Sequence, residues 1–489
     1  GVVYGVVWVG APGERTVAVY ENCRYVIRID VAGAETLDGT VGFGNAGKDG
    51  VYTITGGSVN TTSYGIYINN PMDITVKFDN ATFKLAKLYV ESANGELIVN
   101  NSVIGTAAYS GHNSGWVTAL QGDIKITDSI FGMNFANYTE DEIKAMPRSA
   151  SDVKAAVADG TYKYWAFGSN NSGPHMGTAD EISVTDSTLS ATWISLIDRA
   201  EMNLNNSVLY YGAAISIGAG QVDSSLGQYD SNEIGWDAQI WWGNSPAASK
   251  DGFREGEVAT MNITDSIVRN IGSGNGNAGA HVQVGGSVTY GNTPVVGQDF
   301  AGVLNLKNSE FYITPYDADG NAIAREYDFM AVKDNGTVNV EDSKLVTAKV
   351  INDGTVNVVG ESTLNIAAVA AGSNDIELSE GTILKDSTIM GDVGITGNVT
   401  FRGKNVLNNM YDFGEYGAYG NTDWAKWTVE AGSQLFLEQS VTGLGNNLYG
   451  VGYGDTVVIN GNLTDADAAR AAGLTKDDAS FYSRTGVRF

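Results

Sequence analysis

The stretch Leu97-Ile98-Val99-Asn100-Asn101-Ser102-Val103-Ile104 is a short apolar run that turns polar at Asn and Ser and then becomes apolar again. Apolar residues at alternate positions indicate a β-strand, and Asp, Asn and Ser favour tight turns. Each copy of the phrase therefore predicts a strand, a corner and the start of a second strand. Copies occur at 97–104, 124–131, 182–189, 202–209, 261–268, 304–311 and 338–345, with weaker ones at 74–83, 356–364 and 383–389.

The spacing of the corner residues indicates the size of one repeat. It is 21 residues from Asn80 to Asn101, 20 from Asp186 to Asn206 and 19 from Asp342 to Glu361. Longer intervals of 27, 58 and 59 residues follow the corners at 101, 128 and 206. These longer intervals are either single turns that carry inserted loops or two to three turns of which one shows the phrase.

A repeat of this size cannot bury its apolar face alone, but stacked copies can cover one another. Connections between parallel strands are nearly always right-handed. We therefore expect an all-β chain that folds as a right-handed parallel β-helix, a β-solenoid of about 20 residues per coil, with inserted loops, short helices and terminal caps.

The pattern also predicts how the chain is organised. Residues 1–70 are expected to form N-terminal coils or a cap, residues 71–463 the body, and residues 464–489 a C-terminal cap. Insertions are expected near 135–180, 222–258, 270–300 and 314–330. The first contains the capping box Thr139-Glu140-Asp141-Glu142 and a second N-cap at Ser149, so it predicts two short helices.

Composition and charge restrict the function classes. The chain has 56 acidic against 29 basic residues and a net charge of −27, which disfavours nucleic-acid binding. No apolar run approaches the roughly 18 residues of a membrane span. The single cysteine, Cys23, excludes an intramolecular disulfide framework. A large secreted protein without disulfides is typical of bacteria, and we expect an extracellular or cell-surface location.

The repeated Asp/Asn-Ser corner between short β-runs resembles the pectin-lyase-like parallel β-helix proteins, in the style of bacterial adhesin and autotransporter passenger regions. The resemblance covers about residues 50–410. It implies the β-helix fold and an adhesive or structural surface module. The same fold carries polysaccharide lyases and glycoside hydrolases, so a carbohydrate-active enzyme is the alternative.

Sequence motifs give little support to the enzyme alternative. Asn421-Thr422-Asp423 matches one tripeptide of the pectin-type hydrolases, but the chain lacks their His-Gly and Arg-Ile-Lys motifs. We therefore expect no catalytic residues. His112, His175 and His281 have no paired spacing and are expected to lie in loops or on the surface rather than to bind metal. No cofactor is expected; residues 317–321 show a partial resemblance to a calcium loop and are more typical of a hairpin turn.

Aromatic residues in the predicted insertions are the candidate contact surface. Trp and Tyr in loops offer flat apolar surfaces, and neighbouring Asp gives directed hydrogen bonds, as at sugar and protein contacts. We expect an adhesive or structural module that contacts a host or environmental glycan or a surface protein, with self-association as a variant. The alternative is that these rings only pack their loops onto the coils. The candidate residues are Trp165, Tyr229, Trp236, Asp237, Trp241 and Trp242.

Overall fold

The computed structural model of the protein divides into two compact units. The first comprises Gly1–Val303 and Pro315–Ile323, and the second comprises Leu304–Thr314 and Ala324–Phe489. The structure describes residues 25–30, 34–35, 41–42, 50–55, 58–60, 65–70, 74–85, 87–92, 96–106, 115–119, 123–134, 138–162, 175–178, 181–196, 200–218, 258–271, 281–290, 293–314, 328–412, 426–430, 432–437 and 456–459.

The first unit is built from strands and two short helices. The strands are β1 Tyr25–Asp30, β2 Ala34–Glu35, β3 Val41–Gly42, β4 Gly50–Thr55, β5 Ser58–Asn60, β6 Gly65–Asn70, β7 Ile74–Asp79, β8 Thr82–Leu85, β9 Lys87–Ser92, β10 Leu97–Asn100, β11 Val103–Thr106, β12 Gly115–Ala119, β13 Ile124–Thr127, β14 Ile130–Asn134, β15 His175–Thr178, β16 Glu181–Thr185, β17 Thr188–Leu196, β18 Glu201–Asn205, β19 Val208–Ile217, β20 Val258–Thr264, β21 Ile267–Asn270, β22 His281–Val284 and β23 Gly286–Tyr290. The helices are α1 Glu140–Lys144 and α2 Ala150–Ala158.

Strand β24, Thr293–Lys307, belongs to the first unit up to Val303 and to the second from Leu304. The remaining strands of the second unit are β25 Glu310–Tyr312, β26 Phe329–Val332, β27 Gly336–Glu341, β28 Lys344–Thr347, β29 Lys349–Asn352, β30 Thr355–Val359, β31 Glu361–Ile366, β32 Ile376–Leu378, β33 Thr382–Lys385, β34 Thr388–Ile395, β35 Val399–Arg402, β36 Lys404–Asp412, β37 Lys426–Val429, β38 Gln434–Leu437 and β39 Thr456–Ile459.

Strands of the first unit form three parallel ladders, in which each strand pairs with the equivalent strand of the next repeat. We call one such repeat a coil. The first ladder runs β1, β4, β7, β10, β13, β16, β18, β20. The second runs β2, β5, β8, β11, β14, β17, β19, β21, and the third runs β3, β6, β9, β12, β15, β17, β19, β22.

Parallel pairing also dominates the second unit, for example β27 with β30, β28 with β31 and β33 with β35. The predicted all-β class with parallel strands is therefore confirmed, and the pairing is compatible with a parallel β-solenoid. A hairpin of antiparallel strands, β23 with β24, lies within the predicted insertion at 270–300.

Every predicted Asp/Asn corner adopts the left-handed backbone conformation. Among the residues that the structure describes, nine other than glycine have φ between 43° and 53° and form what we call the corner row. Asn and Asp tolerate this conformation better than other residues with a side chain. The corner row consists of Asn80, Asn101, Asp128, Asp186, Asn206, Asp265, Asn308, Asp342 and Asp386.

Glycine replaces Asp or Asn at further corners, which corrects one expectation. The phrase at 356–364 predicts a corner at Glu361, but Gly360 holds it, with φ of 66°. A Cβ at Gly360 would clash with the carboxylate of Asp342, so the stacked corner leaves no room for a side chain. Gly403, with φ of 69°, is placed in the same way against Asp386.

A row of buried serines follows the corner row and connects the coils. In the first unit five backbone N–H groups each donate a hydrogen bond to the serine Oγ of the next coil, at 3.0 to 3.2 Å. The donor–acceptor pairs are Ala81 to Ser102, Ser102 to Ser129, Ser129 to Ser187, Ser187 to Ser207 and Ser207 to Ser266. Each of these five serine hydroxyls in turn donates to the carbonyl two residues before it, at 2.6 or 2.7 Å.

Hydrogen bonds of the serine row show how the chain is arranged in the 58- and 59-residue intervals between corners. Ser129 and Ser187 are 58 residues apart, yet they occupy adjacent coils, as do Ser207 and Ser266 at 59 residues. Each long interval is therefore one coil with inserted residues. In the second unit the interval is 34 residues from Ser309 to Ser343 and 19 residues from Ser343 to Ser362.

The two helices of the first insertion begin where the sequence predicts. The N–H of Glu142 donates to Thr139 Oγ1 at 3.3 Å, and the N–H of Thr139 donates to the Glu142 carboxylate at 2.7 Å, which completes the capping box. Helix α2 begins after Ser149, whose Oγ accepts from the N–H of Asp152 at 3.1 Å. These side chains satisfy N–H groups that have no partner inside the helix.

Candidate functional site

The aromatic residues predicted as the contact surface lie outside the described residues. This holds for Trp165, Tyr229, Trp236, Asp237, Trp241 and Trp242. Outside them also lie Cys23, His112, the turn at 317–321, the tripeptide at 421–423 and the expected cap at 464–489. These assignments therefore stay predictions.

The third ladder of the first unit brings together aromatic residues that are far apart in sequence. Tyr67 pairs in register with Tyr89, Tyr89 with Trp116, Trp116 with His175 and His175 with Trp193. We call these five residues the aromatic column. Neighbouring strands are about 4.8 Å apart, so each coil contributes one ring-bearing residue at this spacing.

The aromatic column occupies one register position of its ladder. The residues that directly follow this position on three coils, Ile194, Ile215 and Val282, are 0 or 1% exposed and belong to the core. The column residues therefore stand one position before core residues of the third ladder.

Beyond Trp193 the register continues with Ala214 and His281. At this register position Ala214 is 2% exposed, and two positions further along the strands Ser216 and Gln283 are 1 and 2% exposed. The coils that follow the aromatic column therefore carry buried residues at these positions.

His175 and His281 each begin a strand, where a loop or surface position was expected from the sequence. They occupy one register position three coils apart. Sequence reasoning missed the column because it lies in the third ladder, whose copies lack the Asp/Asn-Ser corner. The available signal was an aromatic residue or histidine followed by an apolar residue, as in Tyr89-Val90, Trp116-Val117 and Trp193-Ile194.

A group of carboxylates lies in the second unit. The pKa of Asp375 is raised, first by burial and then by the negative charges of Asp392 and Glu377. Asp375 precedes β32, and Asp392 precedes Val393, which pairs with Ile376. Neighbouring coils thus bring two aspartates side by side.

Ion pairs cross neighbouring strands of the second unit at another place. Arg402 binds both oxygens of Glu430 at 2.7 and 2.8 Å and also contacts Glu361, which binds Lys385 at 2.7 Å. The hydrogen bond from Lys385 lowers the pKa of Glu361, and that from Arg402 lowers the pKa of Glu430. These side chains are between a third and a half exposed, so the pairs contribute modestly to stability.

Within the described ranges no group of three or more His, Cys, Asp or Glu residues is arranged to hold a metal ion. Neither α1 nor α2 is long and apolar enough to cross a lipid bilayer.

No protein-family model, curated protein or solved structure matches this chain. The resemblance to the pectin-lyase-like proteins therefore stays a prediction from the sequence repeat, and the parallel ladders support only the coarser β-solenoid fold.

Proposed function

We propose that this protein is an extracellular bacterial surface β-solenoid that acts as an adhesive or structural module and contacts glycan chains. The fold proposed for it is a right-handed parallel β-helix of the pectin-lyase-like type. The observation that carries the proposal is the aromatic column, which places Tyr67, Tyr89, Trp116, His175 and Trp193 at one register position of five consecutive coils.

Regular spacing is the reason why the column suits a chain-like ligand. Aromatic rings combine an apolar surface with a polar group, which is the composition found at sugar contact sites. Repetition at about 4.8 Å along the stack would let one extended glycan meet several coils. Affinity would then accumulate from several weak contacts rather than from one deep pocket.

Charge favours neutral glycans over acidic ones. The chain carries a net charge of −27, and a polyanion repels other polyanions over distances up to the screening length. The register position two residues after the column is uncharged on the coil of Trp116, at Thr118, and acidic on the coil of Tyr89, at Glu91. Neither Thr118 nor Glu91 offers a positive charge that would attract an acidic polysaccharide.

A carbohydrate-active enzyme is a second candidate, and one observation favours it. Asp375 has a raised pKa beside Asp392 and Glu377. Glycoside hydrolases use a carboxylic acid of raised pKa to protonate the leaving oxygen and a second carboxylate that stays ionised. Asp375 would be the acid and Asp392 the partner carboxylate.

The test compares binding and turnover for the full chain. Sedimentation with insoluble neutral polysaccharides, and with an acidic polysaccharide as comparison, measures binding. Reducing-end and unsaturated-product assays on the same samples measure turnover. We expect retention on at least one neutral polysaccharide and no products.

Matched variants locate the contact surface. Trp116→Ala and Trp193→Ala should each reduce retention about tenfold, which corresponds to the loss of about 1.4 kcal/mol per aromatic contact. Trp236→Ala and Trp241→Ala, in the second insertion, serve as matched controls. Loss only in those controls would move the contact surface to the insertions, and absence of retention on every polysaccharide would refute glycan contact. Turnover abolished by Asp375→Asn would establish the enzyme instead.

A further inference from the structure

Apolar residues line the outer face of the second ladder in the first unit. Each directly follows a serine of the serine row, and each is at most 2% exposed although it points away from the core. We call these four residues the apolar stripe: Val103, Ile130, Val208 and Ile267. They are in register with one another through Thr188 on the coil between Ile130 and Val208.

The second unit shows that this outer position is normally polar. The residues that follow the equivalent buried serines there are partly exposed, and each is charged or carries a hydroxyl. They are Glu310, Lys344, Thr363 and Thr388. The apolar stripe is therefore a specific feature of the first unit, and something must cover it.

The cover is the inserted segment 138–162, which contains α1 and α2. Ile143, Ala150 and Val153 of this segment are at most 3% exposed and share one hydrophobic cluster with the whole apolar stripe. Met146, Val157, Tyr138 and Tyr162 pack around the edge of that cluster. The two helices thus bury their apolar sides against the coils.

Polar contacts attach the same segment to the coils directly. Arg148 Nη1 donates to Asn101 Oδ1 at 2.7 Å and also to the carbonyl of Asp128. The hydroxyl of Thr188 donates to the carbonyl of Arg148 at 2.8 Å. Burial lowers the pKa of the Arg148 guanidinium, although the nearby charge of Asp128 opposes this effect.

Residues just after Arg148 attach to the next coil. The N–H of Ala150 donates to the carbonyl of Asn206 at 2.8 Å, and the N–H of Ser151 donates to Asn206 Oδ1 at 3.0 Å. The hydroxyls of Tyr162 and Tyr210 are 2.9 Å apart. Four residues of the segment, 148–151, therefore reach the coils of Asn101, Asp128, Thr188 and Asn206, which are consecutive.

We infer that residues 138–162 act as a clamp that makes these four coils open and close together. In a simple stack each repeat contacts only its neighbours, so stability is a sum of local terms and coils can open separately. A segment bound to four coils at once adds coupling beyond nearest neighbours. Opening any one of these coils then requires releasing the clamp.

Native-state hydrogen exchange of the full chain tests this inference. The reporters are the backbone N–H groups of Ser102, Ser129, Ser187 and Ser207, each of which donates to a serine of the next coil. In the wild-type protein they should exchange with one common opening free energy. Four different values in the wild-type protein would overturn the clamp without any variant.

Two mild variants release the clamp by different contacts. Arg148→Gln removes the charged contact to two coils, and Val153→Ala opens space between α2 and the apolar stripe. Each should lower the protection of Ser102 and Ser129 by about tenfold relative to Ser207. Ala155→Ser, at an exposed position of α2, is the control and should leave the common value unchanged. Reporters that stay at one common value in both variants would show that the coils are coupled without the clamp.

Discussion

The backbone N–H of Ser129 donates to the Oγ of Ser187 at 3.0 Å, although 58 residues separate them in the chain. The same donor–acceptor relation joins Ser102 to Ser129 across 27 residues. Insertions therefore leave the coil-to-coil contact unchanged. The corner and the serine after it are the fixed part of each coil, and the connection that follows can vary in length.

Removing one serine of the row should destabilise the first unit. Ser187→Ala leaves the buried N–H of Ser129 without its acceptor, which costs about 1–3 kcal/mol. Ser183→Ala, at a partly exposed position of the preceding strand, is the control and should have little effect. Denaturant unfolding monitored by circular dichroism measures both. Equal free energies of unfolding for the two variants would contradict a stabilising role of the serine row.

Two substitutions at Asp265, where φ is 52°, distinguish the contribution of the left-handed backbone conformation to stability from that of the side-chain contacts. Asp265→Gly and Asp265→Ala remove the same carboxylate, but only alanine pays the strain of the left-handed region. The glycine variant should be more stable by about 1 kcal/mol. The free energies of unfolding of the two variants check this, and a more stable alanine variant would contradict the assigned conformation.

Alanine substitutions at Gly403 and Gly381, which both have positive φ, distinguish backbone strain from steric clash with a neighbouring side chain. Gly403→Ala would bring a Cβ against the carboxylate of Asp386, whereas a Cβ at Gly381 meets nothing within 4 Å. Both substitutions carry backbone strain of about 1–2 kcal/mol, and the first adds a steric clash. Gly403→Ala should therefore lower the melting temperature more than Gly381→Ala. The reverse order would show that the coils of Asp386 and Gly403 are not closely stacked.

Asp375 should make the stability of the second unit depend on pH. Its pKa is raised above the ordinary 3.8, so the folded protein keeps this proton when the unfolded chain has lost it. Stability then falls as the pH rises from 3.8 through the raised folded pKa. Asp375→Asn should remove this fall and raise the melting temperature at neutral pH. A thermal melt series should show no difference below 3.8; a variant destabilised at neutral pH would contradict the prediction.

The ion pairs of Arg402 should act with the opposite sign. The pKa values of Glu361 and Glu430 are lowered from 4.5, so their stabilising effect is present above 4.5 and is lost as the pH falls through the lowered values. Arg402→Gln should therefore lower the melting temperature modestly at neutral pH and have less effect in acid. Lys404→Gln, at an exposed position at the start of the next strand where the ammonium lies over the Phe436 ring, is the control and should lack this pH dependence. A constant difference at every pH would contradict the ion-pair assignment.

Sequence alone determined the coil and its corner, because both depend on contacts within a few residues. The strand period at Ile124 and Ile126 and the turn preference of Asp128 are local properties. The capping box at Thr139 and Glu142 was predicted for the same reason. Gly360 was missed as a corner because glycine fits the left-handed conformation without the Asp/Asn-Ser phrase that marks the other corners.

Which distant residues become neighbours on adjacent coils was decided only by the tertiary structure. The register that aligns Tyr89, Trp116 and His175 depends on how many residues each insertion adds to a coil. The sequence left that number open between one coil and several. The burial of Val103 and Val208 on an outer face likewise depends on where residues 138–162 return to the coils. Contacts between distant residues follow from the stacking of whole coils, and no local preference encodes them.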